Sequence, residues 1–274
     1  MTQPICLIGN SHLAAIKLAW DEMREQFPHI VLEMFGSHSA SLRDTALDSG
    51  RIVPTTKQVA KNFKWTSRTN AIRLNKYAAF YIIAGGFSSL PIFSLYSEWG
   101  YYELNGRRKY LVSQDCFRRA ALGWLRAVPA MHLLRLIRSG SDAPIYLCAQ
   151  ALPSDECLDD PNCDIGHKSA IANHDDAKLF DLYLDLCREI TTDNVFAIQQ
   201  PDSTKSGIAL TKGEYSRNSV GLTPKFDLEH PPNDYFHMNR LYGAESLRAM
   251  FGATESELPG PYRGIANSAG APIG

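Results

Sequence analysis

The chain predicts an α/β protein of the doubly wound, flavodoxin-like kind: three α/β/α layers around a mostly parallel five-stranded sheet. Two observations carry the expectation. Five short apolar or β-branched runs are spaced along the 274 residues, and helical apolar periodicity fills most of the gaps between them. Strands that alternate with helices pair in parallel through right-handed crossovers, which puts helices on both faces of the sheet.

The first run, residues 5–8, is followed at Leu13 by a helical pattern to 26 with apolar positions at Leu13, Ile16, Ala19, Trp20 and Met23. The second run covers 30–35, the third 80–84 and the fourth 145–149. A long helix is expected over 117–138, through Leu122, Leu125, Leu133, Leu134 and Ile137. Another over 177–190 leads into the fifth run at 195–198. A single domain over 1–251 is expected, with insertions or long loops near 91–109, 153–175 and 201–233. The tail 252–274, rich in Gly, Pro, Ala and Ser, lacks periodicity and reads as loosely ordered.

With 45% hydrophobic and 21% charged residues the composition is that of an ordinary globular protein, and a formal net charge of −1 supplies no global field for nucleic acid or an anionic membrane. The start Met1-Thr2-Gln3-Pro4 has no basic region, and the apolar run ending at Ile8 is too short for a signal peptide or a membrane span. A cytoplasmic location without a membrane span is therefore expected. Six cysteines include Cys6 and Cys148 inside strand patterns, where Cys acts as a small hydrophobe, so reduced thiols are expected.

Chemistry concentrates at the two ends of the chain. Ser11 follows the first strand in Gly9-Asn10-Ser11-His12, at the sheet edge where ligands bind and where the next helix offers its N-terminus. Far downstream stands Asp234-Tyr235-Phe236-His237. A serine hydroxyl becomes a nucleophile when a neutral His takes its proton and a carboxylate orients that His. Ser11, His237 and Asp234 supply those three groups, although D-x-x-H alone also describes a turn carboxylate beside a surface His.

Taken together, these blocks resemble the SGNH (GDSL-type) hydrolase family over roughly residues 4–251. Gly9-Asn10-Ser11-His12 stands for the family's G-D-S-L block, and Asp234 to His237 for its C-terminal D-x-x-H. The resemblance implies the catalytic set Ser11, Asp234 and His237, no cofactor, and an oxyanion hole using the backbone N–H groups of Ser11 and Gly36. Asn10 replaces an architectural Asp, not a triad member. One departure matters: the family's G-x-N-D block reads here Gly85-Gly86-Phe87-Ser88-Ser89, with no Asn. Losing an oxyanion donor costs about a hundred- to thousandfold in rate. Ser88, Ser89 or an N–H of Gly85 or Gly86 is a candidate replacement; alternatively the Gly pair only permits a tight turn.

Weaker signals have blander readings. Cys157, Cys163, His167 and His174 match no standard zinc spacing, so no metal is expected. The basic stretch from Lys57 to Lys76 and the Arg107-Arg108-Lys109 cluster read first as solvated faces, second as sites for an acidic substrate group. Aromatics at Phe93, Tyr96, Trp99, Tyr101 and Tyr102 suit core packing or a substrate pocket. The resemblance implies a serine ester hydrolase acting on a small acyl ester of a polar or carbohydrate-like substrate. An acyltransferase with the same triad, or a weakly catalytic binding module, stays open.

Overall fold

A computed structural model describes residues 4–106, 110–163, 165–226 and 228–252. The Arg107-Arg108-Lys109 cluster and the tail from 253 onward lie outside the described residues. The central sheet contains β1 (Ile5–Gly9), β2 (Leu32–Gly36), β3 (Ala79–Ile83), β4 (Ile145–Cys148) and β5 (Val195–Ile198). All pairings are parallel, in the order β5-β4-β3-β1-β2. The order reverses at β1, so β1 and β3 flank the switch point where doubly wound sheets bind ligands.

β1, β3 and β4 are buried along their whole length. That is why their sequences are continuous apolar runs without alternation. Their side chains still alternate between two cores. Cys6, Ile8, Phe80, Ile82, Ile145 and Leu147 join one face, and Ile5, Leu7, Ala79, Tyr81, Tyr146 and Cys148 the other. Helix α1 (Leu13–Met23) covers the second face through Leu13, Ile16 and Ala19. The first face carries α2 (Lys57–Ser67), α3 (Leu90–Glu98), α4 (Gln114–Ala127), α5 (Pro129–Arg138) and α7 (Asp176–Ile190). The short α6 (Gly166–Ala172) packs on α3, and α8 (Arg240–Leu247) packs on α1. None of the six cysteines forms a disulfide.

Two expectations need correction, and one element is new. The helix over 117–138 is two helices, α4 and α5, bent by 62°. Proline disfavours helical backbone in the residue before it, and Val128 accordingly takes ψ 157 while Pro129 opens α5. The supposed insertion near 91–109 begins with α3, whose Ile92, Phe93 and Tyr96 are core residues. A small antiparallel sheet of Thr45–Asp48, Arg51–Pro54 and Ile72–Arg73 was not anticipated. Its first hairpin turns through Ser49 and Gly50, both at positive φ, the geometry that two-residue hairpins require. Among the described residues no single helix is long and apolar enough to cross a membrane.

Candidate active site

Ser11 lies in the turn between β1 and α1. Gly9 is required there by close approach, since a Cβ would stand 2.9 Å from Ile83 Cβ and 3.0 Å from Ile83 O on β3. The buried Asn10 supports the turn: its Oδ1 accepts from the His12 N–H at 3.3 Å, and its carbonyl accepts from Leu13 N–H at 3.0 Å. This is the architectural part expected of it.

The other half of the site comes from the irregular segment before α8. Asn239 ends that segment and caps α8, accepting from the Leu241 N–H at 2.9 Å, while its Nδ2 donates to Glu214 O and Arg217 O at 2.8 Å each. Tyr235 is tied to a neighbouring loop, its OH donating to Asp160 Oδ2 at 2.9 Å and its carbonyl accepting from Ser154 N–H at 2.7 Å. Helix α8 then docks closely on α1. A Cβ on Gly243 would sit 2.0 Å from Ala15 O, so only glycine permits this approach. The contact holds the segment that carries His237 against the start of α1, beside Ser11, 226 positions away in the chain.

Ser11 Oγ lies 2.8 Å from His237 Nε2, and His237 Nδ1 lies 2.7 Å from Asp234 Oδ2. Asp234 Oδ1 accepts the N–H groups of Phe236 and His237, both at 3.0 Å. Burial alone would raise the Asp234 carboxyl. The hydrogen bonds from the His237 ring and from the two backbone N–H groups outweigh it and hold the group below the usual carboxylate range. An ionised Asp234 accepts only, so His237 carries its proton on Nδ1 and presents a bare Nε2 to Ser11. That is the tautomer a general base needs.

Two histidines that sequence reasoning passed over complete the site. His12 stacks on one face of His237, centroids 4.8 Å apart and planes at 16°, and His230 on the other, at 4.0 Å and 7°. His230 Nδ1 also lies 3.3 Å from Asp234 Oδ2. Burial, reinforced by His237, pushes His12 down to about 3 and lowers His230 from its ordinary value. The sequence signal for His230 was its place four residues before Asp234, across Pro231-Pro232.

His230, Asp234 and His237 bring three ligand-type atoms within 4.8 Å of one another. Near-parallel rings aim their in-plane lone pairs side by side instead of at one point, and both Nδ1 atoms already face Asp234. The arrangement fits shared protons better than a metal ion. Cys157, Cys163, His167 and His174 form no such cluster among the described residues. His167 is instead fully buried, stacked on Phe93 at 3.8 Å, with neither ring nitrogen hydrogen-bonded.

The oxyanion candidates divide. The Gly36 N–H already donates to Thr66 Oγ1 at 3.1 Å, so it departs from the role implied by the resemblance. The turn after β3 has Ala84, Gly85 and Gly86 all at positive φ, and Ala130 N–H donates to Gly85 O at 3.0 Å. The Gly pair therefore answers a real backbone constraint. Ser88 and Ser89 are buried beside it. The basic residues Lys57, Lys61 and Lys64 project from the exposed face of α2, with Val59 and Phe63 inward.

Comparisons with known proteins add little. No family model and no curated protein matches the chain. Among solved structures it is similar to the periplasmic domain of a lipopolysaccharide acetyltransferase from Salmonella ser. Paratyphi A, at 9% identity and a TM-score of 0.43 over 90% of this chain and 82% of that one.

Proposed function

We propose that this protein is a serine ester hydrolase working through a covalent acyl-enzyme. The observation that carries the reading is the unbroken hydrogen-bonded chain from Ser11 through His237 to Asp234 at the switch point of the sheet. Ser11 Oγ attacks the ester carbonyl carbon as His237 Nε2 takes its proton, and Asp234 holds the imidazolium that forms. Collapse of the tetrahedral intermediate expels the alcohol, which receives the proton from His237. Water then attacks the acyl-Ser11 carbonyl, giving a proton to His237, and the acid leaves as Ser11 regains it. An alcohol in place of this water would make the same intermediate an acyl-transfer one.

The oxyanion falls to the Ser11 N–H, at the positive end of α1, and to a donor from Gly85 to Ser89. A wide polar cleft borders the triad on the His230 side, lined by Glu156, Arg217, Asn218, Glu229 and Tyr235. Its chemistry suits a polar, hydroxyl-rich alcohol such as a sugar. A largely apolar cleft lies on the His12 side, with Ile83, Ile198, Met238 and Met250 in its wall.

The engagement of Gly36 with Thr66 and the missing Asn favour one other reading, a weakly catalytic binding module with an incomplete oxyanion hole. Fluorophosphonate labelling separates the two. Rapid labelling lost in Ser11→Ala, with turnover of short p-nitrophenyl esters or acetylated sugars, supports the hydrolase. Binding of such sugars without labelling supports the module.

A further inference from the structure

We propose that His230 is a positioning residue, whose Nδ1–H and ring face hold the Asp234 carboxylate and the His237 imidazole in register with Ser11. The proposal deepens the serine-hydrolase reading and rests on it. Asp234 Oδ2 is approached by two imidazole nitrogens, His237 Nδ1 at 2.7 Å and His230 Nδ1 at 3.3 Å. With Oδ1 taking two backbone N–H groups, the carboxylate accepts three hydrogen bonds, and His230 Nδ1 stands beside Oδ2 at ion-pair distance.

An ionised carboxylate can only accept, so in this arrangement a nitrogen that engages it does so as N–H. His230 Nε2 is buried without a hydrogen-bond partner, and the Val220 backbone lies within hydrogen-bonding reach of the ring.

Backbone hydrogen bonds tie down the segment that carries His230. Its N–H donates to Ser219 O at 2.9 Å, the preceding Glu229 forms an isolated bridge with Val220, and Gly221 N–H donates to Leu228 O at 2.8 Å. The stretch from Pro231 to Asn239 likewise has no regular secondary structure. The ring contacts of His230 with Asp234 and His237 join the two segments.

Stacking adds a second function. At 4.0 Å and 7° the His230 ring covers one face of His237, with His12 on the other, leaving in-plane rotation toward Ser11 as the accessible adjustment. When His237 accepts the Ser11 proton, its charge lies between the two stacked rings and is met by the Asp234 carboxylate.

Two variants separate hydrogen bond from stack. His230→Phe keeps a ring and removes the donor; His230→Asn keeps a donor at the Nδ1 position and removes the ring. Each is assayed with wild type and Ser11→Ala for p-nitrophenyl acetate turnover and fluorophosphonate labelling rate, with thermal melting as a check on folding. The expected result for His230→Phe is a kcat lower by roughly ten- to hundredfold, the range for a lost hydrogen bond to a charged group, with KM within about twofold. His230→Asn should recover much of that loss.

A proton NMR readout needs no turnover. Two slowly exchanging imidazole N–H signals are expected in wild type, one of them absent and the other shifted in His230→Phe. Wild-type kcat, labelling rate and N–H spectrum in a folded His230→Phe would overturn the proposal while leaving the hydrolase reading intact. If wild type neither labels nor turns over, the hydrolase reading fails, and the N–H spectra still decide whether His230 clamps Asp234.

Discussion

Gly243→Ala tests how this fold builds its site, because two effects of opposite sign compete. Alanine is the better helix former by roughly 0.8–1 kcal/mol, so propensity alone predicts a more stable protein. The added Cβ would lie 2.0 Å from Ala15 O and 2.5 Å from Ala15 C, where ordinary contact begins at 3.4 Å. The obstacle is helix backbone, not the movable end of a side chain, so α8 must retreat from α1 by roughly 1 Å or more. Overpacking of this kind costs about 1–3 kcal/mol, and a backbone clash lies at the upper end, which exceeds the propensity gain. The expected net loss is about 1–2 kcal/mol.

Activity should fall further than stability suggests. Ser11 lies two residues before α1 and His237 three residues before α8, so displacement between the helices is carried into their 2.8 Å hydrogen bond. A misplacement of roughly 1 Å at a reacting group costs on the order of a hundredfold in rate. Urea unfolding monitored by tryptophan fluorescence, paired with kcat/KM on a p-nitrophenyl ester, measures both. A variant that matched or exceeded wild type in unfolding midpoint and kept its rate would refute this account of how the site is assembled.

Ser11→Ala and His237→Ala should each remove nearly all esterase activity without unfolding the protein, and the double variant should be scarcely worse than either, since the residues act as one unit. Retention of more than about a tenth of the rate in Ser11→Ala would exclude it as nucleophile. His167 gives a pH-dependent prediction: burial pushes it down to about 3, while the unfolded chain binds the proton near 6.5. Its folded value being the lower, stability falls as pH drops below about 6.5 and continues to fall toward about 3, amounting to about 2 kcal/mol by about pH 5. His167→Leu should flatten that window; a wild-type-minus-variant stability difference independent of pH would count against it. Ser88→Ala should lower kcat much more than it raises KM if the Ser88 hydroxyl serves the oxyanion, and an unchanged kcat would leave the turn's backbone N–H groups as donors.

Short-range pattern determined the elements. Ile5 to Ile8, Phe80 to Ile83 and Ile145 to Cys148 could be read as strands because strands buried on both faces must be apolar throughout, and the amphipathic spacing of α1 and α7 is a local property of a few turns. Where local cues were overlooked, the reading erred: Pro129 breaks a helix through its own ring, and Ser49-Gly50 turns a hairpin through its backbone freedom. Ser11, Asp234 and His237 could be named from their motifs, Ser11 also from the strand end it follows. Their meeting could not be derived from a one-dimensional pattern, since a gap of 226 residues is closed only where α8 lies against Ala15 through Gly243. The same holds for the Gly36 N–H captured by Thr66 and for the His12 and His230 rings on either side of His237. Periodicity records which face of an element is buried, whereas partners for individual hydrogen bonds and ring faces exist only once the elements have packed.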